Sequence, residues 1–141
     1  MKLLDTMLIV YARTPGSPFN AWAAEQIAEL VQPGGEGAGL SAVSLAELCA
    51  EDGADAAQVR LGILGLGVEL LPVPVESAEP CGLAYRKYRH KRKAESGKGA
   101  PRMPLADFFI GAHAQAAGWE LVTNDPDRFR TYFPAVRLVT P

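Results

Sequence analysis

The chain has 141 residues, a length suited to one domain with a hydrophobic core of its own. Hydrophobic residues make up 48% and charged residues 21% of it, which argues against a disordered or fibrous chain. The net charge of −2 favours no class of partner. The two cysteines form no CxxC motif, which argues against a cysteine-based metal site and fits a reducing cytoplasm.

The predicted elements alternate between strand and helix. Their bounds follow from apolar runs, from the helical spacing of apolar residues and from breaks rich in Gly and Pro. In chain order they are strand 2–4, helix 6–12, helix 19–31, strand 38–42, a helix starting at 44, helix 55–66, strand 68–73, helix 76–90, helix 104–117, strand 119–123, a short helical turn from 125 and strand 136–139. The first apolar run is interrupted at Asp5 and reaches only Ala12, so we predict neither a signal peptide nor a membrane span.

This alternation is typical of a parallel sheet covered by helices on both faces. We therefore predict an α/β fold, a three-layer α/β/α sandwich with a central, mostly parallel sheet. No linker divides the chain and no internal repeat is present, so residues 1–141 are predicted to form a single domain.

Four acidic residues, far apart in the sequence, each stand where a strand passes into a helix or where a helix begins: Asp5, Glu47, Asp107 and Asp125. In a parallel sheet these junctions share the carboxyl edge, and a helix that precedes a strand starts there too. We therefore expect the four carboxylates to meet in one crevice. They would repel one another without a cation, and oxygen ligands suit Mg²⁺ or Mn²⁺. Such a site suits metal-assisted attack on a phosphodiester.

Each acid also has a purely structural interpretation. Asp5 and Asp125 could cap helices, and Asp107 could complement the dipole of a first helical turn. Glu47 could complete a capping box that begins at Ser44. Capping does not require four helix ends to share one edge, and an unpaired acid at position 5 would be costly to bury, so the metal site is the preferred hypothesis.

Three polar neighbours could orient carboxylates or waters by hydrogen bonds: Thr6, Thr123 and Asn124. Asp127 could be a fifth ligand, but a solvated turn residue is the preferred interpretation. His90 is predicted to face solvent. His113 follows Asp107 by six residues and is predicted to point away from it, so no Ser-His-Asp or Cys-His mechanism is indicated.

A basic stretch between residues 86 and 102 holds eight of the fourteen Lys and Arg residues, opposed only by Glu95. It is predicted to leave the helix at His90 and to continue as a loop from Lys91. Phosphates bind such clusters, and Tyr85 and Tyr88 beside them could stack on bases. The predicted RNA-binding residues are Arg86, Lys87, Arg89, Lys91, Arg92, Lys93 and Arg102. The alternative is a solvated helix end and loop.

Four segments carry a family resemblance. Residues 3–6 (LLDT), 44–48 (SLAEL), 104–114 (PLADFFIGAHA) and 121–129 (LVTNDPDRF) resemble, in order, the four motifs of the PIN-domain ribonucleases, and most of all the VapC-like toxins of toxin–antitoxin pairs. The similarity extends to the closing residues 136–141 and so covers the whole chain.

The resemblance implies an endoribonuclease that uses Mg²⁺ or Mn²⁺ and cuts single-stranded or looped RNA, leaving a 5′-phosphate and a 3′-hydroxyl. It implies that Asp5, Glu47, Asp107 and Asp125 hold the metal. A cytoplasmic homodimer silenced by a cognate antitoxin protein is also implied by the family.

One departure keeps other functions open. Position 7 is Met, where the family often has Asn or Ser, which leaves a catalytically silent RNA- or protein-binding domain of the same fold as an alternative. A phosphatase of the haloacid dehalogenase type would need a second acid at this position, so Met7 argues against it. Intact acids at the other motif positions favour the nuclease.

Overall fold

The computed structural model describes all residues from Met1 to Pro141. Its strands are β1 (Lys2–Leu4), β2 (Ala38–Ser41), β3 (Glu69–Leu71), β4 (Glu120–Val122) and β5 (Leu138–Val139). They form one sheet in the order β3-β2-β1-β4-β5, and every neighbouring pair is parallel. The predicted α/β fold with a central parallel sheet is confirmed.

Seven helices cover the sheet: α1 (Thr6–Ala12), α2 (Asn20–Val31), α3 (Ala42–Cys49), α4 (Ala56–Gly65), α5 (Ala78–Ser96), α6 (Ala106–Ala117) and α7 (Pro126–Tyr132). A 3₁₀ turn over Val75–Ser77 leads into α5. None of these helices is both long and apolar enough to cross a bilayer.

Side chains of the central strands alternate between two cores, as the pleat of a strand requires. Leu3 and Leu121 belong to a cluster with α5, α6 and α7, whereas Leu4 and Val122 belong to a cluster with α1 to α4. All four are fully buried. Because both faces are covered, the strands are apolar apart from Ser41 at the end of β2 and a charged residue at the first position of β1, β3 and β4. These short apolar runs could be recognised in the sequence.

The basic helix is longer than predicted. A loop was expected from Lys91, but α5 continues to Ser96 and ends at Gly97, which has a φ of +69°. Lys and Arg are good helix formers, and cations in a last turn are favoured by the helix dipole. The loop had been predicted from the cluster of charged residues after His90, but charged side chains by themselves do not end a helix.

The predicted start of α3 is also wrong. The helix begins at Ala42, because Ser41 at the end of β2 caps it by accepting a hydrogen bond from the Val43 amide at 3.3 Å. Ser44 is buried inside the helix and Glu47 lies in its second half, so the two do not form a capping box.

Candidate active site

The strand order places a crevice between β1 and β4. From β1 the chain moves to β2 on one side, and β4 pairs on the other side, so the carboxyl ends of β1 and β4 meet where the strand order reverses. Ligands of open parallel sheets bind at such a point. Asp5 directly follows β1, residues 123–125 directly follow β4, and the Asp5 amide donates to the Val122 carbonyl at 3.0 Å.

All four predicted acids line one cleft of about 460 Å³ at this edge, which we call the acidic cleft: Asp5, Glu47, Asp107 and Asp125, with Glu51 as a fifth acid. Asp5 and Asp125 arrive from the strand ends, Glu47 from α3 and Asp107 from the first turn of α6. Helix α6 precedes β4 and runs antiparallel to it, so its amino terminus lies at the same edge as the strand ends.

Asp5 is the buried member of the group, with 5% of its surface exposed. Its side chain does not cap α1 and instead accepts a hydrogen bond from the Thr123 hydroxyl at 2.7 Å. Burial, with the charges of Asp107 and Glu47 acting in the same direction, raises the pKa of Asp5 from 3.8 to about 6, although hydrogen bonds from Thr123 and the Thr6 amide oppose the change. The ionised carboxylate therefore lacks a compensating positive charge.

Glu47 is exposed at the mouth of the cleft, and its carboxylate is held by a single strong contact. The Thr6 hydroxyl donates to Glu47 Oε2 at 2.6 Å, and the same hydroxyl lies 2.9 Å from Ser44 Oγ. Thr6 and Ser44 are both buried. A hydroxyl of the first helix therefore contacts and orients an acid on α3.

Asp107 is paired with a cation that the sequence reasoning did not assign. Arg128 Nη1 of α7 donates to Asp107 Oδ2 at 2.7 Å, and each side chain is about one-third exposed, at 34% and 35%. The guanidinium also lies over two rings, 5.4 Å from the centroid of Tyr88 and 5.8 Å from that of Phe108. Asp107 therefore has a positively charged partner within the chain.

Asp125 is exposed, and its side chain does not cap α7. Its backbone amide donates to the Thr123 hydroxyl oxygen at 3.1 Å, so Thr123 connects Asp125 with Asp5. Asn124 lines the cleft but donates to the Tyr11 hydroxyl at 3.1 Å. Of the three predicted orienting residues, Thr6 and Thr123 contact acids, whereas Asn124 contacts a tyrosine.

The cleft fits a divalent cation in the type of its donors and in its charge. No Cys or His lines it, and burial, together with the charges of Asp107 and Glu47, raises the pKa of Asp5, an effect that a bound cation would offset. No group of three or more acidic, His or Cys side chains is close enough to hold an ion together. Mg²⁺ commonly binds through one or two carboxylates and keeps its waters, so the separation of these acids is compatible with that ion.

Two residues beside the predicted acids had only a weak signal in the sequence. Glu51 lines the cleft four residues after Glu47, but it lies beyond the end of α3. Arg128 contacts Asp107 and follows Asp125 by three residues, but Asp125 precedes α7, so neither pair shares one helix. Tyr11 had no comparable signal. Asp127 is exposed and does not line the acidic cleft.

Neither histidine lines the acidic cleft, as predicted. His90 is exposed on α5. His113 is buried beside Trp119, its Nδ1 has no hydrogen-bond partner, and burial lowers its pKa.

The predicted RNA-binding residues lie on different faces of α5, except for Arg102, which lies in the loop before α6. Lys91 and Arg92 line a groove with Tyr88, Lys98 and Tyr132, whereas Lys87 lines a separate cavity on another side of the helix. The Arg89 guanidinium lies 5.9 Å from the Tyr85 ring centroid. The remaining three predicted cations are exposed and line none of these cavities: Arg86, Lys93 and Arg102.

The chain belongs to the PIN domain family, whose model matches residues 2–134. The family resemblance drawn from the four motifs is therefore confirmed. No curated protein sequence matches the chain significantly.

Three solved structures illustrate the fold. FitAcB from Neisseria gonorrhoeae is 22% identical over 100% of this chain and 98% of that chain, with a TM-score of 0.65. DNA-bound VapBC from Salmonella typhimurium is 19% identical over 99% and 98%, with a TM-score of 0.64. VapBC2 from Rickettsia felis, bound to a fragment of its promoter, is 22% identical over 99% and 98%, with a TM-score of 0.60. At these identities the likeness establishes the PIN fold.

Proposed function

We propose that this protein is a metal-dependent endoribonuclease that hydrolyses RNA phosphodiester bonds. The observation that carries the proposal is the acidic cleft, in which four acids from distant parts of the chain line the crevice between β1 and β4. Membership of the PIN domain family supports a nuclease as the class of enzyme. Oxygen donors alone favour Mg²⁺ or Mn²⁺ over softer metals.

In the proposed mechanism the chain holds and orients the reacting groups. Asp5, Glu47, Asp107 and Asp125 are the metal-holding and catalytic acids, and Thr123 and Thr6 keep Asp5 and Glu47 in place. A bound divalent ion would supply charge neutralisation for the scissile phosphate and a more acidic water. Arg128, which holds Asp107 at 2.7 Å, carries a guanidinium that could also pair with a phosphate oxygen of the RNA.

The test is cleavage of a labelled, partly single-stranded RNA by wild type, Asp5→Asn and Asp107→Asn. We expect cutting that requires Mg²⁺ or Mn²⁺, is stopped by EDTA and is lost in both variants. Asp52→Asn, the same chemical change at an exposed acid outside the acidic cleft, serves as the control and should retain full activity. If wild type cuts nothing with either metal, a catalytically silent RNA- or protein-binding domain becomes the better account.

We further propose that the protein is the toxin of a toxin–antitoxin pair, with a cognate antitoxin protein as its partner and a homodimer as its assembly. The solved structures of similar fold include complexes named VapBC and a toxin–antitoxin complex from Klebsiella pneumoniae, which supports this assignment. The two cysteines are free, which fits a reducing cytoplasm.

Induced expression in a bacterial host tests the toxin role. Wild type should arrest growth, Asp5→Asn should not, and co-expression of the gene adjacent to the toxin gene should restore growth. Light scattering on the purified Asp5→Asn protein tests the homodimer. Normal growth with wild-type protein present at the same level as the variant would count against the toxin role.

A further inference from the structure

A positively charged groove adjoins the acidic cleft but is not part of it. The groove, about 470 Å³ in volume, lies between α5 and the end of α7, and we call it the basic groove. It is lined by three cations and two tyrosines: Lys91, Arg92, Lys98, Tyr88 and Tyr132. Glu95 is the one acid in its lining, and it is 67% exposed in a 4.0 Å contact with Lys91.

A smaller groove of about 290 Å³ lies between the acidic cleft and the basic groove. It shares Asp125 with the acidic cleft and shares Lys91 and Tyr132 with the basic groove. Arg128 lines this connecting groove while it contacts Asp107 of the acidic cleft. The three depressions therefore lie next to one another on the surface, and together we call them the track.

The chemistry of the track changes along its length. At one end lie the acids of the cleft, and at the far end Lys91, Arg92 and Lys98 provide positive charge. In the middle Asp125 and Asp127 line the connecting groove together with Arg128, whose guanidinium lies over the Tyr88 ring. Tyr88 and Tyr132 meet edge to face, with ring centroids 5.9 Å apart, and Arg92 Nη1 donates to the Tyr88 hydroxyl at 3.0 Å. Cations interleaved with aromatic rings are the features that hold a single-stranded nucleic acid through its phosphates and bases.

We propose that this track binds the single-stranded part of the RNA substrate next to the scissile phosphate. One face of α5 and one face of α7 would then contact the RNA and position it in the acidic cleft. The inference rests on the proposed nuclease function and narrows it. Arg86 and Lys93 of the same helix take no part, although they carry the same charge. Arg128 and Tyr132 of α7 belong to the binding surface as well.

The chain offers a matched pair of double variants. Lys91→Ala with Lys98→Ala removes two charges from the basic groove, and Arg86→Ala with Lys93→Ala removes two charges from other faces of the same segment. All four side chains are exposed, so both proteins should fold as wild type does. Urea denaturation of each checks this.

Binding of a short fluorescein-labelled single-stranded RNA is measured by fluorescence anisotropy in EDTA, which prevents cutting, over a series of salt concentrations. In the Lys91/Lys98 double variant, loss of two phosphate contacts should make the slope of log affinity against log salt less steep by about 1.4. Binding should weaken roughly 25-fold at ~0.1 M salt. The Arg86/Lys93 double variant should bind within about twofold of wild type, because its charges lie off the track and are screened by salt.

If the two double variants lose RNA affinity equally, or if neither loses any, the proposal that the track binds RNA is wrong. General charge or another surface would then account for RNA binding. Crosslinking of 4-thiouridine RNA gives a second readout, since adducts are expected on residues 88–98 and 128–132, and adducts confined to other segments contradict the proposal. The cleavage assay on wild type separates the two hypotheses. If wild type cuts RNA but the two double variants bind RNA equally well, only the proposed binding track is rejected. If the double variants differ in RNA affinity but wild type does not cut, only the nuclease function is rejected.

Discussion

Replacing Asp5 with Asn should stabilise the metal-free protein at neutral pH. The folded state raises the pKa of this carboxyl to about 6, mainly through burial, whereas the unfolded value is near 3.8. A difference of about two pKa units corresponds to roughly 3 kcal/mol of unfolding free energy, at about 1.4 kcal/mol per unit. Asn is isosteric and neutral, and its side-chain oxygen can still accept the hydrogen bond from Thr123.

The sign of the pH dependence follows from proton binding. Between pH 4 and pH 6 the folded wild type holds a proton on Asp5 that the unfolded chain has released, so wild-type stability falls as the pH rises through this window. Below pH 4 both states are protonated and the difference between wild type and Asp5→Asn disappears. The full difference should be reached above pH 7.

Urea denaturation in EDTA at pH 4, 6 and 8 measures this, with wild type, Asp5→Asn and the exposed-site control Asp52→Asn compared at each pH. Added Mg²⁺ should reverse the order, because an ion held by the Asp5 carboxylate stabilises wild type and not the variant. A constant difference between pH 4 and pH 8, or a variant less stable than wild type at pH 8 without metal, would refute the argument that Asp5 is an uncompensated buried charge.

Two further variants test the surroundings of the acids. Arg128→Gln should lower the unfolding free energy by less than ~1 kcal/mol, since the pair with Asp107 is partly exposed. The same variant should tighten Mn²⁺ binding several-fold in calorimetry, because it removes a cation that competes for Asp107. The control Arg130→Gln, an exposed position on the same helix, should change the Mn²⁺ affinity little. Gly111→Ala should cost roughly 1–3 kcal/mol in urea denaturation, because its methyl group would overlap the buried Phe133 ring, and an unchanged midpoint would contradict the packing described.

The sequence by itself determined where the chemistry-bearing residues stand along the chain. Strands buried on both faces are continuous apolar runs, so the position directly after each strand could be located, and Asp5 and Asp125 with it. Because the carboxyl ends of parallel strands share one edge of the sheet, the four acids were predicted to lie close together. In the structure all four line the acidic cleft. Local sequence signals gave the wrong start for α3, because Ser41 and Ser44 could each cap a helix. Ser44 was predicted to begin the helix, whereas Ser41 caps it in the structure.

Only the tertiary structure decided what each of these residues touches. The order of the strands makes β1 and β4 neighbours and brings Thr123 within 2.7 Å of Asp5, a contact across almost the whole chain. The packing of α7 against α5 and α6 pairs Arg128 with Asp107 and selects which cations of α5 face a groove. Periodicity fixes the position of a side chain around its own helix axis, but the partner of that face is fixed by the packing of the whole chain, because many weak contacts over distant segments decide it together.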